Sequence, residues 1–200
     1  HAVFVHVTTR CVRRAWLFGH DRFSNRRLDH RCGLIESRVR ELAEVFAVGV
    51  YAFAWMSNHF HLALAVRPDA VRSWSDEEVV ERWQRIYRSK CEKANAERRA
   101  QMLADPARML LTRERLGSLS WFMKCLNEHV SRIANREDQA HGHFWGRLPV
   151  TCVARHSRHA ARGKHARAIC RRHREGRMHG SSLRYCSMSE LCSPRWRMWT

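Results

Sequence analysis

Ala54-Trp55-Met56-Ser57-Asn58-His59-Phe60-His61-Leu62-Ala63-Leu64-Ala65-Val66 decides the reading of this chain. Side chains alternate along a strand, so Phe60, Leu62, Leu64 and Val66 share one face and His59 and His61 the other. The apolar set calls for a hydrophobic layer beneath it. The two imidazoles are left side by side, at a spacing that lets them share one divalent ion. Upstream, Val48-Gly49-Val50-Tyr51-Ala52-Phe53 continues to Met56 as a second strand. Ser57 and Asn58 mark the turn between the two. A His-x-His triplet by itself is weak evidence, because two half-exposed strand histidines explain it equally well.

Outward from this hairpin, the periodicities define the fold class. Val3-Phe4-Val5-His6-Val7-Thr8 alternates and is rich in β-branched residues, which reads as a strand. Between Arg26 and Phe46 the apolar residues Leu28, Cys32, Ile35, Val39, Leu42, Ala43 and Phe46 fall at steps of three and four, as in an amphipathic helix. Ser75-Asp76-Glu77-Glu78 predicts a capped helix start, and Asp105-Pro106 breaks the charged, alanine-rich stretch that follows. Residues 118–135 form the second strong helix, with Ser118 as its N-cap and one stripe through Leu119, Phe122, Met123, Leu126, Val130 and Ile133. His143-Phe144-Trp145 looks like the start of a further strand. Helix between strands, followed by a hairpin, is an α+β domain with an antiparallel sheet.

Met56-Ser57-Asn58-His59-Phe60-His61-Leu62 resembles the Met-Pro-Asn-His-Val-His-Leu signature of HUH-type single-tyrosine transposases. The likeness is closest to the REP-associated tyrosine transposases. It extends to His6-Val7-Thr8-Thr9-Arg10 and Leu119-Ser120-Trp121-Phe122-Met123-Lys124, and covers residues 1–145. It implies a ferredoxin-like antiparallel sheet with helices packed on one face and a helical insertion at about residues 75–117. It implies metal-dependent cleavage and rejoining of single-stranded or hairpin DNA through a phosphotyrosine intermediate. His59 and His61 would hold Mg²⁺ or Mn²⁺, and Asn58 lies within the same motif. Arg10, Arg13 and Arg14, at the exit of the first strand, are candidate phosphate contacts; a solvated charged loop would account for them as well. Lys124 and Asn127 lie off the apolar stripe of their helix and are placed to face DNA. Glu128 and His129 are adjacent in a helix and diverge by about 100°, which argues against a shared ion.

Charge agrees with a polyanionic partner. The chain of 200 residues has 37 Lys+Arg against 19 Asp+Glu, a formal net charge of +18. Residues 146–200 hold 13 of those cations and only 2 of the acids, leaving 24 and 17 for the rest. No long apolar span appears, so a membrane is the weaker partner. Eight cysteines occur without a Cys-x-x-Cys pair, which supports neither a zinc ribbon nor a thioredoxin-like site. With no signal peptide visible, the expectation is a cytoplasmic protein with reduced thiols, compatible with a homodimer. The chain opens at His1 without a methionine, as a fragment would.

After Trp145 the resemblance stops. The family places a short basic strand and a tyrosine-bearing helix there, whereas this chain continues as Arg/His/Cys-rich text. Such text suits a basic nucleic-acid arm or a metal-binding tract. Its abrupt onset after a matched motif suits a shifted reading frame better, so residues 146–200 are expected to be disordered or frameshifted. Of the three tyrosines, Tyr51, Tyr87 and Tyr185, none sits in the expected surroundings, and no catalytic residue is assigned. The expectation is therefore a transposase-like protein that is defective in strand transfer. The alternative is a non-catalytic nucleic-acid-binding module.

Overall fold

The computed structural model describes residues 2–12, 16–22, 24–146 and the strand at 150–154. Arg13, Arg14 and Tyr185 lie outside the described residues, as does the rest of the basic tail. Strand β1 (Val3–Arg10) leads through two short paired strands, β2 (His20–Asp21) and β3 (Arg26–Arg27), into helix α1 (His30–Val45). The hairpin β4 (Val48–Met56) and β5 (His59–Val66) follows, then a 3-10 turn at Pro68–Arg72. Helices α2 (Asp76–Tyr87), α3 (Glu92–Leu103) and α4 (Pro106–Leu116) precede the long α5 (Leu119–Glu137), and β6 (Val150–Ala154) ends the described chain.

The main sheet has four strands in the order β4-β5-β1-β6, every neighbour antiparallel. With α2, α3 and α4 set aside, the chain runs βαββαβ, and this strand order makes it a ferredoxin-like α+β fold. Strand β6 carries the sheet past residue 145, with Cys152 opposite His6 in the register. His143 and Phe144 are not in a strand; Trp145 forms only an isolated bridge to Cys11.

Helices α1 and α5 cover one face of the sheet because that face holds the apolar set. Val5 and Val7 from β1, Phe53 and Trp55 from β4, and Phe60, Leu62, Leu64 and Val66 from β5 are all buried. They pack with Ile35, Val39 and Leu42 of α1 and with Phe122, Leu126 and Val130 of α5. Each such side chain contributes roughly 1.5–3 kcal/mol by leaving water. Arginine, not apolar residues, closes the far end of this layer. Arg31 is 2% exposed, its Nε donating to Glu137 (2.7 Å) and its Nη2 to Asp138 (2.6 Å). It thereby ties the start of α1 to the end of α5, a role that the helical periodicity did not reveal.

The capping expectations held in part. Ser75 accepts the Glu78 backbone N–H at 3.2 Å, but the Glu78 carboxylate turns to Arg82 instead of closing a reciprocal box. Ser118 stands at the N-cap of α5 without a side-chain bond. Asp105, just before Pro106, caps α4 by accepting from Arg108 N–H.

The Arg31 cluster gives the fold a pH dependence. Burial alone would raise the Glu137 carboxyl, but hydrogen bonds from Arg31 and His30 and their charges outweigh it, and its pKa falls below the ordinary 4.5. A depressed carboxylate contributes stability that is complete above its unfolded value and is lost as pH falls through the folded one. Urea unfolding between pH 7 and pH 3 is expected to show stability falling below about pH 4.5. Glu137→Gln should be less stable at pH 7 and should flatten that fall. An unchanged profile would show that the cluster adds nothing.

Candidate functional site

The face of the sheet away from α1 and α5 is set by the same alternation that builds the core. Arg10 is opposite His59, Thr8 opposite His61 and His6 opposite Ala63 across the β1–β5 pairing. From the other side, Met56 faces His59 and Ala54 faces His61. Directly opposed residues of a ladder project to the same side. His6, Thr8, Arg10, Ala54, Met56, His59 and His61 therefore form one surface, on the side of the sheet away from α1 and α5.

The hairpin turn that starts β5 is held from outside. Neither Ser57 nor Asn58 has a positive φ, whereas the turns that best match strand twist need one. Three backbone donors compensate: Leu17 and Phe18 N–H reach Ser57 O, and Cys11 N–H reaches Asn58 O. The segment after β1 thus anchors the turn, and with it the position of His59.

Around the histidines the contacts are specific. The His59 and His61 rings have centroids 4.9 Å apart and planes 74° from parallel. His59 Nδ1 is 2.7 Å from Asn58 Oδ1. His61 Nδ1 is 2.9 Å from both His6 Nε2 and Thr8 Oγ1. His61 is 7% exposed, with His6, Thr8 and His59 set against its ring. His59, nearer the strand end, stays half-buried. As a donor set, two imidazoles without a carboxylate fit Mn²⁺ and the later first-row ions better than oxygen-seeking Mg²⁺. Among the described residues, no group of three or more His, Cys, Asp or Glu is gathered as a metal site.

The other expected contacts divide between the two sides of the sheet. Arg10 is exposed on the histidine face. Asn58 is engaged with His59 through its side chain and with Cys11 through its carbonyl. Lys124 and Asn127 are not brought to this surface. The Asn127 carbonyl accepts the Trp145 indole N–H at 2.7 Å, and Trp145 packs edge-on to the core residue Phe60. Both residues of α5 therefore belong to the helical layer, with Lys124 lying over the Trp121 ring at 4.3 Å. Glu128 pairs with Arg132 rather than with His129.

Sequence reasoning overlooked His6 and Thr8 as members of the site. The signal was present, since the period of two that places Arg10 on this face places them there too.

The tyrosines separate in the same way. Tyr87, on α2, bonds Cys125 Sγ on α5 at 3.7 Å. Burial and that contact push its hydroxyl up to about 12. Tyr51 sits at the β4 irregularity between Val50 and Ala52, its ring edge-on to Phe4 at 5.3 Å. No helix among the described residues is long and apolar enough to cross a membrane. Compared with known proteins, the sequence matches no protein-family model and no curated protein.

Proposed function

We propose that the chain binds single-stranded or hairpin DNA across the histidine face of its sheet, with a divalent ion, Mn²⁺ or Mg²⁺, at His59 and His61. The observation that carries this reading is the convergence of both imidazoles and Arg10 on one surface, on the side of the sheet away from α1 and α5. When bound, such an ion would withdraw charge from a phosphate oxygen and orient the strand. The chain's own groups supply the rest: His59 and His61 as neutral ligands, and Arg10 as a phosphate contact beside them.

The resemblance to single-tyrosine transposases makes DNA cleavage and rejoining the ancestral chemistry in this proposal. A non-catalytic binding module is the second reading. It is favoured by Tyr87, whose raised pKa and place in the helical layer are the reverse of an activated nucleophile.

Much of the domain's basic charge is already engaged within the fold. Arg40, Arg82, Arg85 and Arg132 each pair with a glutamate on the same helix, Arg88 at the end of α2 pairs with Glu92 at the start of α3, and Arg113 pairs with Asp76. Arg10 makes no ion pair among the described residues. Arg10→Ala is therefore expected to weaken binding of a hairpin oligonucleotide and to reduce the slope of log K against log salt by about 0.7. Lys124→Ala, on the far side of the sheet, should leave both unchanged. Fluorescence anisotropy at several salt concentrations measures the two variants together. A loss with Lys124→Ala and none with Arg10→Ala would move DNA to the helical layer and reject the proposal.

A further inference from the structure

We infer that His6, Thr8 and Asn58 are positioning residues that fix both site histidines with the proton on Nδ1, so that each offers Nε2 to the ion. The inference rests on the reading of His59 and His61 as ion ligands and adds the groups that act through them. For His59 the assignment follows from one contact. A carbonyl oxygen accepts but never donates, so Asn58 Oδ1 at 2.7 Å requires a proton on His59 Nδ1.

For His61 the geometry of His6 decides. The two rings have centroids 5.1 Å apart and planes within 12°, while the nearest nitrogens are 2.9 Å apart. Rings so nearly coplanar, touching through one nitrogen each, meet edge to edge. That is where a ring N–H and a ring lone pair lie, so this contact is a hydrogen bond and not a face-to-face stack. Thr8 Oγ1 reaches the same His61 Nδ1 at 2.9 Å. One N–H can be shared between two acceptors, as in a three-centre bond. A single ring lone pair facing two donors satisfies neither fully. The arrangement that suits all three groups is His61 Nδ1–H donating to His6 Nε2 and Thr8 Oγ1.

Two strand positions, His6 and Thr8, and one turn residue, Asn58, thus serve one purpose. A ligating histidine almost always donates its other N–H to a fixed partner, which sets the ring's rotation and raises its basicity. Here both partners come from local register: Thr8 is directly opposite His61, and Asn58 immediately precedes His59. His6 lies on the strand that also holds Arg10, so phosphate contact and ligand orientation share one element.

The test has two readouts on the full chain. Long-range ¹H–¹⁵N correlation spectra of the metal-free protein at about pH 8, where free imidazole is neutral, are expected to show both His59 and His61 protonated at Nδ1. A proton on Nε2 of His61 would overturn the inference by itself. Zn²⁺ titration by calorimetry is the second readout. The His6→Phe/Thr8→Val variant is expected to lose about 10–100-fold in affinity. His6→Gln/Thr8→Ser, which restores an acceptor at each place, should stay near the wild type. Equal affinity for the wild type and the Phe/Val variant, both folded by circular dichroism, would also overturn it. Absence of Zn²⁺ binding to the wild type would reject the ion-centre reading beneath it, whereas a wrong tautomer rejects only the positioning role.

Discussion

Incubated with a hairpin single-stranded DNA and Mn²⁺, the protein is expected to give no covalent protein–DNA adduct on a denaturing gel. A phosphate polarised by a metal still needs a nucleophile held in line and near contact distance, and that positioning is a large share of the rate. Tyr87 fails on both position and chemistry. It lies in the helical layer, and a phenol pushed up to about 12 is ionised at neutral pH far less than an ordinary one. Tyr51 lies on the histidine face, but its ring is held against Phe4. Phe4 and Arg10, the residue opposite His59, are six positions apart on β1, roughly 20 Å along the strand. Tyr185 lies outside the described residues, so the gel itself decides its case. An adduct abolished by Tyr185→Phe would refute the expectation and identify the nucleophile.

The double variant His59→Ala/His61→Ala should lose specific Mn²⁺ binding altogether while keeping its fold. The two side chains do not hold the core together, because the buried apolar partners of β5 are Phe60, Leu62, Leu64 and Val66 on the opposite face. Removing either imidazole leaves one of the two proposed nitrogen ligands and, among the described residues, no carboxylate gathered beside it, which cannot retain a weakly held ion against water. Hairpin binding driven by counterion release should persist in the variant, because Arg10 remains. What should vanish is the increment in DNA affinity produced by adding Mn²⁺. If that increment survives in the double variant, the ion acts elsewhere.

The hairpin was legible because its signal is local. Alternation, an apolar run and a polar two-residue turn set β4 and β5 at Val48–Met56 and His59–Val66, as the residues suggested. Helix α1 begins at His30 rather than near Arg26, because Arg26 and Arg27 pair with His20 and Asp21 as a small ribbon. That pairing has no apolar periodicity to announce it.

The site was only half legible for a related reason. His59 and His61 are neighbours on one strand, but the partnership of His61 with His6 and Thr8 depends on the β1–β5 register, across more than fifty residues. Lys124 and Asn127 show the reverse limit. Helical spacing told that they leave the apolar stripe, but not which side of the sheet the helix would cover. Only the crossing from β5 through α5 to β6 places them opposite the histidines.

In the proposed function a divalent ion sits between His59 and His61, on the face of the sheet away from α1 and α5. Paramagnetic broadening by substoichiometric Mn²⁺ in ¹H–¹⁵N spectra tests it most directly, because broadening falls steeply with distance from the ion. Early loss of signal is expected from Arg10, Ala54, His59 and His61, with Lys124 and His129 in the helical layer unaffected. Broadening centred on the helical layer, or the same pattern in the His59→Ala/His61→Ala variant, would contradict it.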